Sequence, residues 1–328
     1  MRIAPEILDT ADDVGHEAAV QLADGIAAAA AEGRTFVLGC PSGRSPIATY
    51  ANLAALVAER NLDLSHVVVA LMDEYVEEAG DGYRAIDADL PHSCVGFGRR
   101  EILGLLNAAA TPGHRIPEAS LWFPDPAAEA GEYDRALAAA GGIDVFLLAS
   151  GASDGHVALN PVGAAADTVT RVVPLGEDTR RDNLGTFPTL RSLDEAPRFG
   201  VTVGIATIRE LSRSVVMVVT GEHKQDTVRR LAAADSYEPD WPATVLSECS
   251  DARFLVDRSA AEAAPDHPLT PPADARPERH HPHSWLPSSS STSAGDRPAA
   301  RGPSRPSSST ARSSTARRSS SRTSTPRG

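Results

Sequence analysis

The chain has 328 residues, 41% of them hydrophobic, and a net charge of −13 at neutral pH, which is enough apolar material for the core of one large α/β domain. That acidity repels a phosphate backbone, and no basic stripe carries interleaved aromatics, so nucleic-acid binding is excluded. Cys40, Cys94 and Cys249 are too few and too scattered for a disulfide framework or a metal site. Residues 1–9 lack a leader pattern and the Ala-rich stretch at 26–31 reads as ordinary helix, so a cytoplasmic protein with no membrane partner is expected.

Residues 12–32 place apolar positions at helical spacing. A strand at 35–39, a helix at 46–60 and a strand at 66–72 follow. Strands alternating with helices predict an α/β fold, a doubly wound, mostly parallel sheet. A helix over 92–107 is expected behind a site wall, where Ser93 and His92 could face the pocket, although a cap and a surface His are their commoner roles. A helix over 127–140 leads into an apolar strand at 143–149. Segments 201–205 and 215–220 read as strands linked by 208–213, and 241–247 and 254–256 as closing strand pieces. From about residue 264 the composition turns to Pro, Ser, Thr and Arg, which cannot bury enough apolar surface to offset ordering entropy. The expected division is therefore a folded domain over 1–263 and a disordered tail over 264–328. Ten Arg against four acids give residues 265–328 a charge of +6, which leaves −19 for the rest. His280, His281 and His283 read as part of a solvated tract.

Three strand ends offer chemistry. The strand at 143–149 runs into Gly151-Ala152-Ser153-Asp154-Gly155-His156, which presents a carboxylate and an imidazole two positions apart between glycines. Such a pair is a usable acid/base unit near neutral pH, and in open α/β sheets the pocket lies beyond the carboxyl ends of the strands. The strand at 66–72 ends at Asp73 and Glu74. The strand at 35–39 ends in a turn, Ser42-Gly43-Arg44-Ser45, whose main-chain N–H groups suit an anion before a helix opens near Pro46. Gly151 to Gly155 also fits G-x-S-x-G, which would make Ser153 a nucleophile, but Pro161 arrives too soon for the helix that such an elbow requires.

In this order the motifs resemble the family of glucosamine-6-phosphate deaminases (isomerases) and 6-phosphogluconolactonases. The resemblance rests on Ser42-Gly43-Arg44-Ser45-Pro46, Met72-Asp73-Glu74-Tyr75, Asp154-Gly155-His156, the segment Val201 to Thr207, and Thr220-Gly221-Glu222-His223-Lys224. It covers roughly residues 5–258. Tyr75, where the lactonases usually carry Arg, looks like the deaminase branch. The resemblance implies Asp73 as the C1/C2 base, His156 as the ring-opening histidine and Asp154 as its acidic neighbour. It also implies Lys224, the one lysine against thirty arginines, as a phosphate ligand, with Ser42, Gly43, Arg44 and Ser45 completing the cradle.

Two positions depart from the family pattern. Pro161 stands where the deaminases have Glu, and Gly185 where they have a phosphate-binding Arg, for which Arg44, Arg180 or Arg181 could substitute. The resemblance implies a phosphorylated sugar as substrate and neither metal nor organic cofactor. It leaves homo-oligomerisation open. A lactonase in which His156 activates water and a non-catalytic sugar-phosphate sensor are the alternatives.

Overall fold

The computed structural model describes residues 2–262. The expected tail, with its three histidines, lies outside the described residues. Along the chain, β1 (Glu6–Leu8) and α1 (Ala11–Glu32) precede β2 (Phe36–Cys40), α2 (Ile47–Arg60) and β3 (Val67–Leu71). The strands β4 (Asp73–Ala79) and β5 (Gly82–Ala85) form a hairpin. A helical segment follows, α3 (Cys94–Phe97) and α4 (Leu105–Ala109) joined by the π-helical stretch Gly98–Gly104. Next come β6 (Leu121–Trp122), α5 (Glu132–Ala139), β7 (Ile143–Leu148), β8 (Arg171–Pro174), α6 (Glu177–Thr186), β9 (Phe199–Thr202) and α7 (Ile205–Leu211). Finally β10 (Ser212–Val219), α8 (Gln225–Ala233), β11 (Ala252–Asp257) and α9 (Arg258–Ala261) close the fold.

Seven strands pair in parallel in the order β1-β11-β10-β7-β2-β3-β6. Every residue of β2, β3 and β7 is buried, because helices cover both faces of the sheet. On one face Leu22 and Ile26 of α1, Leu53 and Val57 of α2, and Leu106 of α4 pack on Leu38, Val69 and Leu147. On the other, Ile205 and Ile208 of α7 and Val228 and Leu231 of α8 pack on Val37, Phe146 and Met217. The doubly wound, mostly parallel sheet is thus present. Gly39 of β2 permits its closest packing, since a Cβ there would lie 2.2 Å from the Phe146 ring. Local signals set the helix lengths. Thr10 and Asp13 cap α1 reciprocally, and Gly33, at φ 67°, ends it.

Several boundaries differ from the sequence expectation. The stretch from 66 onward is two strands in two sheets. Met72 separates β3 from β4, which joins an antiparallel sheet of order β5-β4-β9-β8. The expected strand at 201–205 is β9 of that second sheet, and Ile205 opens α7, so 208–213 is helix and strand start rather than a link. The strand piece expected at 241–247 is instead the 3₁₀ helix Pro242–Glu248, whose apolar residues are buried; a short apolar run does not reveal its period. The helix expected over 127–140 is the shorter α5. No helix among the described residues is long and apolar enough to cross a membrane.

Candidate active site

A cleft of about 510 Å³ opens at the carboxyl ends of β2, β3, β7 and β10. Asp73 reaches it because β4 starts where β3 stops, turning the chain out of the parallel sheet at the strand end. The residue is 6% exposed. Burial pushes its carboxyl up to about 7, the neighbouring Glu74 adds to the rise, and the Cys94 thiol and His156 pull the other way. A carboxylate of that proton affinity is suited to take and return a proton near neutral pH. Glu74 has a different task. Its carboxylate accepts from the main-chain N–H of Tyr75 (2.7 Å), Cys94 (3.0 Å) and Val95 (2.8 Å) and from Ser93 Oγ (2.6 Å). This fully buried acid fastens the start of α3 to β4, and so holds Cys94 beside Asp73.

At the end of β7, His156 Nδ1 meets Asp154 Oδ1 at 2.6 Å, and Thr179 Oγ1 of α6 donates to Asp154 Oδ2 at 2.7 Å. Burial alone would raise Asp154. The hydrogen bond and charge of His156, with the Thr179 donor, outweigh it and hold the carboxyl far below the usual carboxylate range. Asp154 is therefore an anion throughout the neutral range and orients the imidazole, while His156 faces the cleft. Two glycines make this turn possible. Gly155 sits at φ 64° with the Trp241 ring 2.3 Å from where a Cβ would be, and a Cβ on Gly151 would lie 2.3 Å from His156 Nδ1.

The third group of residues is cationic. Lys224, in the turn between β10 and α8, is 8% exposed and its ammonium donates to the Ser150 carbonyl. Burial pushes it down to about 8 against the opposing pull of Asp182 and Asp154, and Arg44 nearby lowers it further. Ser42, Gly43, Arg44 and Ser45 line the same cleft, with Gly43 at φ 93° shaping the turn and no side chain capping α2. Of the three candidate arginines, Arg180 donates to the Leu193 and Ala196 carbonyls, and Arg181 pairs with Glu177 and Asp178. Arg44 has no ion pair among the described residues and stands beside Lys224. Asp154, His156 and Asp182 each offer a ligand-type atom within 4.8 Å of the others. A cation there would compete with the 2.6 Å contact between Asp154 and His156.

Residues 9–255 match the model of the family described as glucosamine-6-phosphate isomerases/6-phosphogluconolactonase. The chain belongs to this family. It is 34% identical over 226 residues to a glucosamine-6-phosphate deaminase of Rhodopirellula baltica, covering 69% of this chain and 83% of that one. With glucosamine-6-phosphate deaminase 1 of Bacillus subtilis it shares 31% over 229 residues, 70% and 88% of the two chains. Among solved structures it resembles a monomeric glucosamine-6-phosphate deaminase with TM-score 0.65 and 27% identity, over 80% of this chain and 99% of that one. A 6-phosphogluconolactonase of Trypanosoma brucei, 22% identical with TM-score 0.55 over 79% and 98%, shares the fold.

Within this deaminase/lactonase fold the structure brings Asp73, His156, Lys224 and the Ser42–Ser45 turn to one cleft, with Asp154 directly behind His156. Pro161 does not line the cleft, because buried Asn160 anchors the turn before it to the Val203 carbonyl at 2.8 Å. Gly185 does line it, and a Cβ there would meet nothing within 4 Å. Ser153 donates to Asp182 at 2.9 Å and is followed by turns rather than a helix, so it does not form a nucleophile elbow. Ser93 caps α3 and accepts from Gly96 N–H, as expected, whereas His92 packs between Tyr75 and Phe187. Sequence reasoning missed Cys94, Thr179 and Asp182. The last two sit on α6, a polar helix with no motif of its own.

Proposed function

We propose that the protein converts glucosamine 6-phosphate, or a closely related amino-sugar phosphate, to the ketose phosphate and ammonia. The observation that carries this reading is Asp73, a buried carboxyl of raised proton affinity in the same cleft as the Asp154–His156 pair. Lactone hydrolysis has no use for a base beside C2. His156 takes the proton of the anomeric hydroxyl, the C1–O5 bond breaks, and the proton is returned to O5. Asp73 then removes the C2 proton and returns it to C1, while O1 takes the proton that the substrate ammonium gives up as the C2–N bond becomes an imine. Water adds to that carbon and ammonia departs. Incubation with glucosamine 6-phosphate and, separately, with 6-phosphogluconolactone tests the reading. Ammonia release from the first is expected, and lactone loss without ammonia release would replace it with the hydrolase.

Lys224 and Arg44, with the Ser42–Ser45 turn, are proposed to hold the phosphate. A buried ammonium beside main-chain N–H donors is a common anion cradle, and Arg44 supplies the second cation where Gly185 has none. Lys224→Ala should raise KM for the phosphorylated sugar by roughly ten- to a hundredfold, the loss of a charge-assisted contact of about 1.5 to 3 kcal/mol. Measured on the unphosphorylated sugar, the same variant should change little; equal effects on both would remove Lys224 from the phosphate site.

The activity is assigned to residues 1–263, supported by the family match over 9–255 and by described elements that end at Ala261. A chain ended at residue 263 should keep its kcat and Tm. A drop of more than about 5 °C would correspond to a kcal/mol or more of lost packing and give the remaining residues a structural role. Cys40, Cys94 and Cys249 are free thiols, which supports a reducing compartment such as the cytoplasm.

A further inference from the structure

Asp182 is electrostatically out of place in a site that takes a phosphate. It lines the cleft from α6, its charge acts on both Lys224 and His223, and among the acids its pull on Lys224 exceeds that of Asp154. It therefore offsets the cations offered to an anionic substrate. Like charges a few ångströms apart repel by about 1 kcal/mol even when well screened. An acid that weakens binding of the substrate's anion must be explained by another partner in the cleft, and the geometry supplies one.

One ligand-type atom of Asp182 lies within 4.8 Å of those of both His156 and Asp154. The carboxylate is also registered to the catalytic turn itself. Ser153, between β7 and His156, donates to Asp182 Oδ2 at 2.9 Å, and Thr179, three residues earlier on α6, donates to Asp154 Oδ2 at 2.7 Å. Two points of contact thus fix α6 against the Asp154–His156 pair and keep Asp182 close to it.

We propose that Asp182 is a second carboxylate of the His156 acid/base unit, a positioning residue that stabilises the imidazolium formed while His156 carries the anomeric proton. The inference rests on the reading of His156 as the proton shuttle. During ring opening the imidazole is cationic only between taking the proton from O1 and giving it to O5. The charged and titratable groups around it are Asp73 and Tyr75 from β4, Cys94 from α3, Asp154 from its own turn, Asp182 from α6 with Arg181, which is paired to Glu177 and Asp178, Arg44 after β2, and His223 and Lys224 after β10. Of these, the cations disfavour the imidazolium. Asp182 lies close to both His156 and Asp154, and its charge acts on Lys224 and His223, so it counters theirs.

Asp182→Asn in the full chain tests this, with ammonia release from glucosamine 6-phosphate as the assay. The expected result is a fall in kcat of about tenfold, the scale of a removed electrostatic support in an acid/base step, with KM unchanged or lower because the amide no longer repels the phosphate. Asp182→Glu should recover much of kcat. The pH profile of kcat should also change in Asp182→Asn and return toward that of the wild type in Asp182→Glu. The proposal is overturned by an unchanged kcat, by a raised KM at constant kcat, or by a fall in kcat that leaves its pH profile where it was. Loss of wild-type activity in EDTA with recovery on adding Mn²⁺ or Zn²⁺ would also overturn it, making Asp182 a metal ligand. A wild-type protein that releases no more ammonia than His156→Asn would instead sink the deaminase reading, whatever the Asp182 variants do.

Discussion

Asp73→Asn should abolish ammonia release while making the protein more stable above pH 7. The amide has nearly the same shape and still accepts from the Cys94 thiol, but it cannot take a proton from C2, and loss of a positioned base lowers rates by about 10² to 10⁴. Stability moves the other way because burial raises the Asp73 carboxyl from an ordinary 3.8 to about 7. A carboxyl raised on folding contributes its full stability below the unfolded value and loses it as pH rises through the folded one. At pH 8 the native state therefore carries an ionised, buried carboxylate at a cost on the order of a few kcal/mol, about 1.4 for each pH unit of displacement. The variant removes that cost. Its Tm should exceed that of the wild type by roughly 5 °C or more at pH 8, with the gap closing at pH 4. The acid limb of wild-type kcat/KM should fall near pH 7 for the same reason. Equal melting temperatures at both pH values would mean that Asp73 is well solvated, and a variant that still turned over would remove it from the proton transfer.

The parallel sheet is legible in the sequence because its central strands are buried on both faces, so β2, β3 and, apart from Asp144, β7 appear as apolar runs that end at glycine, serine or acid. Their ends meet at the cleft, which is why Asp73, Asp154, His156 and the Ser42–Ser45 turn stand out from the amino-acid pattern. Lys224 stands out by composition alone. The second sheet is hidden because β5, β8 and β9 have only four residues each, and β4 follows β3 across a single residue with no turn signal to part them. The walls of the cleft are hidden for a different reason. Asp182 and Asn183, like Thr179 behind Asp154, come from a helix that is mostly polar, and Cys94 reaches Asp73 only because Glu74 fastens α3 to β4. Contacts of that kind depend on how two elements dock, and neither element alone encodes the distance between them.

Gly151→Ala should cost as much activity as deleting the imidazole, although the new methyl brings no chemistry. The backbone of Gly151 is not in the left-handed region, so alanine is tolerated there on conformational grounds. The conflict lies entirely with side chains, since the added Cβ would stand 2.3 Å from His156 Nδ1, 2.5 Å from Cε1 and 2.6 Å from Asp154 Oδ1. None of these contacts is sterically allowed, and the two groups it strikes are the partners of the 2.6 Å hydrogen bond that orients the imidazole. Either that bond breaks or His156 leaves the cleft. Loss of a correctly placed acid/base group is worth about 10² to 10⁴ in kcat, and an error of about an ångström in placement is enough to incur much of it. If the methyl acts only through this pair, the double variant with His156→Ala should be no slower than His156→Ala alone, whereas independent effects would multiply. Wild-type kcat in Gly151→Ala would show that the Asp154–His156 geometry is not what sets the rate.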